Sequence, residues 1–244
     1  MEWLGEGILI AARRYGEADA LAEVFCRERG LIKGFVKGGM GKRQRAVLQP
    51  GNHVSYTWRA RLETNLGRFT FDLVKSPLGY IIDDGPRLAA FQAVLASAQS
   101  ALLERAEEPD LFDAFVATLD LIATEASTPT LWAAALAKLE LMLLKAAGFG
   151  LDLESCAATG STQSLVYVSP KSGRAVSKEA GDPYQSKLLA LPRFLHLPGL
   201  EDPTIDDATA ALALSGYFLT REIWNLKSGA MPEARSRFLA SLER

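Results

Sequence analysis

Residues 30–45 read GLIKGFVKGGMGKRQR. Lys33, Lys37, Lys42, Arg43 and Arg45 supply five cations with no acid among them, and Gly30, Gly34, Gly38, Gly39 and Gly41 supply five glycines. Glycine permits sharp turns and a close backbone approach to a ligand. Cations set among glycines suit a polyanion gripped along its backbone, so the stretch predicts a basic loop of a small β-barrel that meets nucleic acid. A charge run alone is ordinarily a solvated face, and the flanking sequence decides between the two.

Upstream, residues 7–12 (GILIAA) form a short apolar run ending at Arg13-Arg14, which reads as a strand, and Tyr15-Gly16-Glu17 reads as a turn. Residues 21–26 and 31–37 are apolar segments on either side of a turn that ends in Gly30, the pattern of a hairpin. A helix over residues 18–29 capped by Gly30 is the competing reading. Downstream, Val54, Tyr56 and Trp58 alternate onto one face, with Arg59 and Arg61 on the other. Phe69, Phe71 and Leu73 repeat the period, and Arg68 stands among them. Five or six strands in about 80 residues, with glycine-rich turns, have the rhythm of an OB-fold.

Such a barrel grips single strands with cations for the phosphates and aromatics for the bases. Lys33, Lys37, Lys42, Arg43, Arg45, Arg59, Arg61 and Arg68 are the candidate nucleic-acid-binding residues. The Tyr56/Trp58 face reads as barrel core before it reads as a stacking surface. Charge is unevenly spread: between Arg27 and Arg68 there are 10 basic and 2 acidic residues, whereas the whole chain carries a formal charge of −2. That asymmetry points the N-terminal part at a polyanion.

From residue 81 the composition turns helical, with Pro86, Pro109 and Thr130 at helix starts and Gly148 at a stop. These helices show apolar faces and no polar constellation. Lys138, Lys145, Arg221 and Lys227 are the cations available to ring a partner groove. A long helix capped by Asp206 or Asp207 is expected to reach residue 226. A final helix starts at Pro232 and carries Arg235 and Arg237, both read as solvated.

Residues 151–183 are turn-rich. A zinc knuckle needs four soft ligands in two close pairs. Its spacing falls on Cys156, Thr159, Ser177 and Ala180, three of which lack a ligand, so no metal is expected. Cys26 and Cys156 make no disulfide framework. The N-terminus lacks a signal pattern, and the run over residues 131–144 is broken by Lys138 and Glu140, so a cytoplasmic protein without a membrane anchor is expected. There is no Walker spacing in GGMGKRQR, no acidic triplet and no cofactor motif, which argues against a nuclease or nucleotide-dependent enzyme.

The segment ILIAARRYGEADALAEVFCRERGLIKGFVKGG, followed in order by LLKAAGFGLDLESC, YVSPKSGRAVSKEAG and GYFLTREIW…MPEARSRFLASL, closely resembles the RecO recombination-mediator family of bacteria across the whole chain. The resemblance implies an α+β multidomain protein: an OB-fold barrel over residues 1–80, a mainly α-helical domain over 81–150 and 184–244, and a zinc-finger-like insert over 151–183. It further implies a non-enzymatic DNA-repair role in the nucleoid. Members bind single- and double-stranded DNA, anneal complementary strands, engage the C-terminal tail of the single-stranded DNA-binding protein, and with RecR help load RecA. This chain departs from zinc-binding members at Thr159, Ser177 and Ala180. An RNA- or single-strand-binding OB-fold protein without a recombination role is the alternative.

Overall fold

The computed structural model describes residues 1–62, 64–197, 202–227 and 229–243. Five strands and a short helix come first: β1 (Glu2–Tyr15), β2 (Asp19–Cys26), β3 (Gly30–Val36), α1 (Lys42–Val47), β4 (His53–Arg59) and β5 (Gly67–Lys75). The strands close into a barrel in the order β1-β2-β3-β5-β4. All pairs are antiparallel except β3 with β5. This is the OB-like arrangement expected from the sequence. Residues 18–29 do not form a helix, because Ala20, Ala22, Val24 and Cys26 enter the barrel core at period two.

The interior is filled by Leu9, Val24, Ile32, Val54, Tyr56, Trp58, Phe69 and Phe71. Trp3 stacks on Trp58 at 4.0 Å. The core reading of Tyr56 and Trp58 is therefore correct; they are 4% and 0% exposed. The run GILI shows why β1 does not alternate between apolar and polar. Leu9 points into the barrel, whereas Ile8 and Ile10 join the helical core. A strand covered on both faces reads as a continuous apolar run.

Residues 30–45 are not one loop. They comprise a strand, a turn and the start of α1. Three of their glycines answer to the protein's own packing, Gly39 because a Cβ there would lie 2.6 Å from that of Ala20, and Gly30 and Gly34 as follows. A Cβ on Gly30 (φ +63°) would lie 1.9 Å from the carbonyl oxygen of Ala106, and one on Gly34 would lie 2.8 Å from Phe69 and 2.9 Å from the carbonyl oxygen of Gly67. The first contact seats the barrel on the helical half, where the amide of Arg105 also donates to the Leu31 carbonyl (2.9 Å). The second allows β3 and β5 to approach and close the barrel.

The helical half begins with α2 (Leu78–Ile81), α3 (Gly85–Ala101), α4 (Pro109–Ala123) and α5 (Pro129–Ala146). Asp84 caps α3 by accepting from the amide of Arg87. Thr128, not Thr130, caps α5, because Pro129 occupies the first turn and the Thr128 side chain accepts from the amide of Leu131. A three-stranded sheet follows, made of β6 (Leu165–Val168), β7 (Ala175–Ser177) and, beyond the single turn α6 (Lys178–Gly181), β8 (Leu189–Ala190). The chain then forms α7 (Ile205–Leu219), a π-helical turn (Thr220–Trp224), α8 (Asn225–Lys227) and α9 (Glu233–Leu242). Thr204 rather than an aspartate is the N-cap of α7, and Asp207 completes a reciprocal capping box with it. Among the described residues no helix is long and apolar enough to cross a membrane.

The helices do carry a polar constellation, contrary to the sequence reading. Glu140 on α5 is 0% exposed and Arg235 on α9 is 2% exposed. The guanidinium donates to both carboxylate oxygens, at 2.7 and 2.9 Å. Ser97 of α3 and Ser215 of α7 donate to the same carboxylate at 2.8 and 2.5 Å, and Arg235 also reaches the Leu212 carbonyl at 2.7 Å. One ion pair thus ties α3, α5, α7 and α9 together. The short, polar sequence of its own helix places Arg235 in solvent; the acid that draws it inward lies 95 residues earlier. Arg237 is exposed and pairs with Glu233.

Removing one member of such a pair strands a buried charge, at a cost of about 3–5 kcal/mol. Arg235→Met should therefore lower the urea unfolding midpoint by that equivalent, and Arg235→Met with Glu140→Leu should recover part of the loss. A single variant as stable as the parent protein would show that the pair does not hold α9 in place.

Candidate nucleic-acid interface

Strand register decides which cations share a surface. Across the outside of the barrel, Leu21 on β2 pairs with Phe35 on β3, Phe35 with Arg68 on β5, and Arg68 with Arg59 on β4. Neighbouring strands lie about 4.8 Å apart, so these side chains form one continuous row. Arg59, Arg61, Arg68 and Phe35 line a groove of about 800 Å³, together with Thr57 and Leu66. Arg59 is also held by Glu2 at 2.7 Å, which draws its carboxyl below the usual range through the hydrogen bond to the guanidinium. Arg61 and Arg68 are exposed and have no carboxylate in ion-pair reach among the described residues.

The other edge of the row is the β1–β2 turn. Tyr15 lies against Phe35, with ring centroids 4.7 Å apart. Arg14 braces this turn by donating to the carbonyls of Gly16 (3.1 Å) and Glu17 (2.9 Å). The segment leaving β3 is bonded to the same turn: the amide of Met40 donates to Ala18 (2.9 Å) and that of Gly38 to Asp19 (2.8 Å). Lys37 and the start of α1 therefore stand beside it. Lys42, Arg43 and Arg45 are all exposed on α1, which buries no residue of its own. Among the described residues Lys37, Lys42, Arg43 and Arg45 are in no ion pair.

Lys33 stands apart from this group. It points out of β3 two residues before Phe35, opposite Glu23, and its ammonium lies 3.4 Å from Glu104 of the helical half. The structure adds Tyr15 to the candidate surface through its ring contact with Phe35, and Arg14 braces the turn that follows it. In the sequence both read only as punctuation between strands, and only the tertiary contact shows Tyr15 beside Phe35.

Of the four cations considered for a partner groove, the three whose side chains are described do not share one element: two lie on α5 and one beside α7. Lys138 and Lys145 are exposed on α5 seven residues apart, about 10 Å along the helix and on one side of it. Lys138 lies 5.3 Å from the ring centre of Phe194. Arg221 sits over Phe218, donates to the Pro170 carbonyl and Glu222, and lines an apolar groove between α7 and α9. The side chain of Lys227 lies outside the described residues.

Comparison with known proteins follows the fold's own division. Residues 1–77 match the family model "Recombination protein O N terminal", and residues 82–228 match "Recombination protein O C terminal". The chain is 44% identical over 245 residues to the DNA repair protein RecO of Rhodospirillum rubrum, covering 100% of this chain and 97% of the relative. It is 45% identical over 242 residues to that of Beijerinckia indica subsp. indica (98% and 94%). It is 41% identical over 245 residues to that of Brucella abortus (100% and 97%).

The insert does not fit a zinc ion. Its four knuckle positions offer one thiol, two hydroxyls and the methyl of Ala180, and no cluster of three or more His, Cys, Asp or Glu occurs among the described residues. The Cys156 sulfur instead accepts hydrogen bonds. The amide of Ser177 donates to it at 3.2 Å, and Thr159 and the amide of Ala158 contribute as well. The amide of Ala157 donates to the Ala175 carbonyl (2.8 Å), closing the same two turns on each other. Leu165, Val168 and Ala175 then anchor the sheet in the helical core. Burial pushes the Cys156 thiol up, but the donors outweigh this and bring it down to about 6 from an ordinary 9.0.

A thiol held low in the folded state stabilises above its unfolded value and loses that contribution as pH falls through the folded value. The deficit in melting temperature of Cys156→Ala against the parent protein should thus be largest near pH 9 and shrink toward pH 6. A chelator should leave the parent's melting curve unmoved. A deficit that grows on acidification would overturn this account.

Proposed function

The chain belongs to the RecO family of DNA repair proteins, and on that premise we propose that it acts without chemistry, as a recombination mediator. In this reading it binds single- and double-stranded DNA and anneals complementary strands. With RecR it helps load RecA onto DNA coated by the single-stranded DNA-binding protein. The observation that carries the proposal is the outward row of Phe35, Arg68 and Arg59 on the barrel, with Arg61 in the same groove and the exposed Lys37, Lys42, Arg43 and Arg45 on the segment that leaves β3.

The physical logic is electrostatic. Two complementary strands repel each other through their phosphates. A face bearing seven cations neutralises that charge and releases condensed counterions, so affinity falls steeply with salt. Annealing then needs no acid, base or nucleophile, only a surface on which both strands are screened while their bases remain free to pair. Lys33 is left out of this face, because it lies where β3 meets the helical half, beside Glu104. The acidic remainder of the chain repels phosphate elsewhere and keeps the strands on the barrel.

For the acidic tail of the single-stranded DNA-binding protein we place the contact on the helical half, at the exposed pair Lys138 and Lys145 or at Arg221. The two surfaces are separate, so they are separable by mutation.

Lys42/Arg43/Arg45→Ala should weaken binding to a DNA oligomer and reduce the magnitude of the log K versus log salt slope by about 2–3, one phosphate per lost cation. Arg59/Arg61/Arg68→Ala should do the same. Unchanged affinity and slope in both variants would remove the barrel from DNA binding. In pull-downs with the tail peptide, Lys138→Glu with Lys145→Glu is expected to abolish capture if α5 receives it, and Arg221→Glu if the α7–α9 groove does. Retention by both variants rejects these positions.

A further inference from the structure

The row on the barrel holds more than charge, and we infer that Tyr15 and Phe35 form a base-stacking platform that makes this face prefer unpaired strands over duplex. The inference rests on the reading that this face binds nucleic acid, and it names which form of nucleic acid the face selects.

Three observations support it. The first is position. Phe35 sits at the centre of the row, with Leu21 on one side and Arg68 on the other, and lines the groove whose wall is Arg59, Arg61 and Arg68. A strand whose phosphates follow the arginines has its bases over Phe35.

The second is exposure. Every other aromatic that the barrel strands contribute to its interior is spent on packing: Trp3, Tyr56, Trp58, Phe69 and Phe71 are all 8% exposed or less. Tyr15 is 54% exposed, and Phe35 is partly exposed. The two rings meet at 51° rather than face to face, so neither covers the other's whole π surface. Tyr15 thus packs on Phe35 and still leaves about half of its surface open to solvent beside the cationic groove.

The third is rigidity. Tyr15 ends β1, paired with Asp19, and the turn that follows it is braced by both Arg14 hydrogen bonds and by the amides of Gly38 and Met40 from the segment after β3. A ring held in place before binding loses little freedom when a base lands on it.

The selectivity follows from where bases present their faces. In a duplex each base is covered above and below by its neighbours, so a protein ring cannot reach a π face without unstacking the helix. In a single strand those faces are open, and base–aromatic stacking is tolerant of sequence. The cations alone would bind both forms. The platform adds a contact that only unpaired bases make, and it releases them when they pair, which suits a surface on which strands anneal.

The test uses the full-length protein with Tyr15→Ser, Phe35→Leu and the conservative Tyr15→Phe, each titrated with a single-stranded oligomer and with a duplex of the same length at several salt concentrations. A single-stranded oligomer carrying 2-aminopurine reports stacking directly by quenching. Tyr15→Ser and Phe35→Leu should each lose about tenfold in single-strand affinity. They should lose little on duplex, keep the salt slope because no phosphate contact is removed, and lose the quenching. Tyr15→Phe should behave as the parent. Equal loss on both forms, or quenching and single-strand affinity that survive both substitutions, would overturn the inference. Because Tyr15 is exposed at the very end of β1, its variants keep the test valid if Phe35→Leu fails to fold. Failure of the platform leaves the arginine variants' salt slopes changed, whereas failure of the DNA-binding reading leaves those slopes unchanged.

Discussion

Ile8, Ile10, Phe25 and Leu31 face outward from the barrel, and they must be covered. The helical half covers them: Phe25 meets Phe112 and Phe115 edge to face at 5.3 and 5.7 Å, and all four apolar residues belong to the helical core. The barrel is thereby welded to the helices along β1, β2 and the start of β3. Ion pairs from Arg27 to Asp113 and from Lys75 to Asp120 edge that contact, but exposed pairs of this kind contribute little on their own. Apolar burial holds the two halves together more strongly than these charges do. Once that side is closed, the faces left to a ligand are those of β3, β5 and β4, and the turns that flank them.

This constraint explains how the basic stretch is divided. Lys33 lies on β3 and Lys37 just past its end at Val36, yet the first lies where the helical half begins and meets Glu104, while the second is in no ion pair among the described residues. Gly30 belongs to the welded end, since only a residue without a side chain fits against Ala106. The glycines and cations of residues 30–45 thus serve two purposes. The early ones close and seat the barrel, and the later cations are exposed on the segment bonded to the β1–β2 turn.

The insert and the last helix show the opposite case, where a strong side-chain preference is overridden by distant partners. Arginine is almost never buried unless paired, and Arg235 is buried because Glu140, Ser97, Ser215 and the Leu212 carbonyl together satisfy it. The zinc-knuckle positions survive as a fold without their metal. Backbone and hydroxyl donors converge on the one remaining sulfur, and the sheet's apolar side chains are shared with the helical core. In both places hydrogen bonds do what charge neutralisation or metal coordination would do elsewhere.

The order of elements, the barrel's period-two faces and the burial of Tyr56 and Trp58 were legible in the chain, because alternation and turn chemistry are local properties. So was the lack of a ligand at three of the four knuckle positions, which is a matter of residue type alone. Long-range identity could be read as well, from the succession of motifs along the whole length. What the sequence could not decide was which cations share a surface, that Tyr15 meets Phe35, and that Arg235 is inside. Each depends on pairing between residues far apart along the chain, and a register or a buried partner is a property of the closed fold, not of any window along the chain.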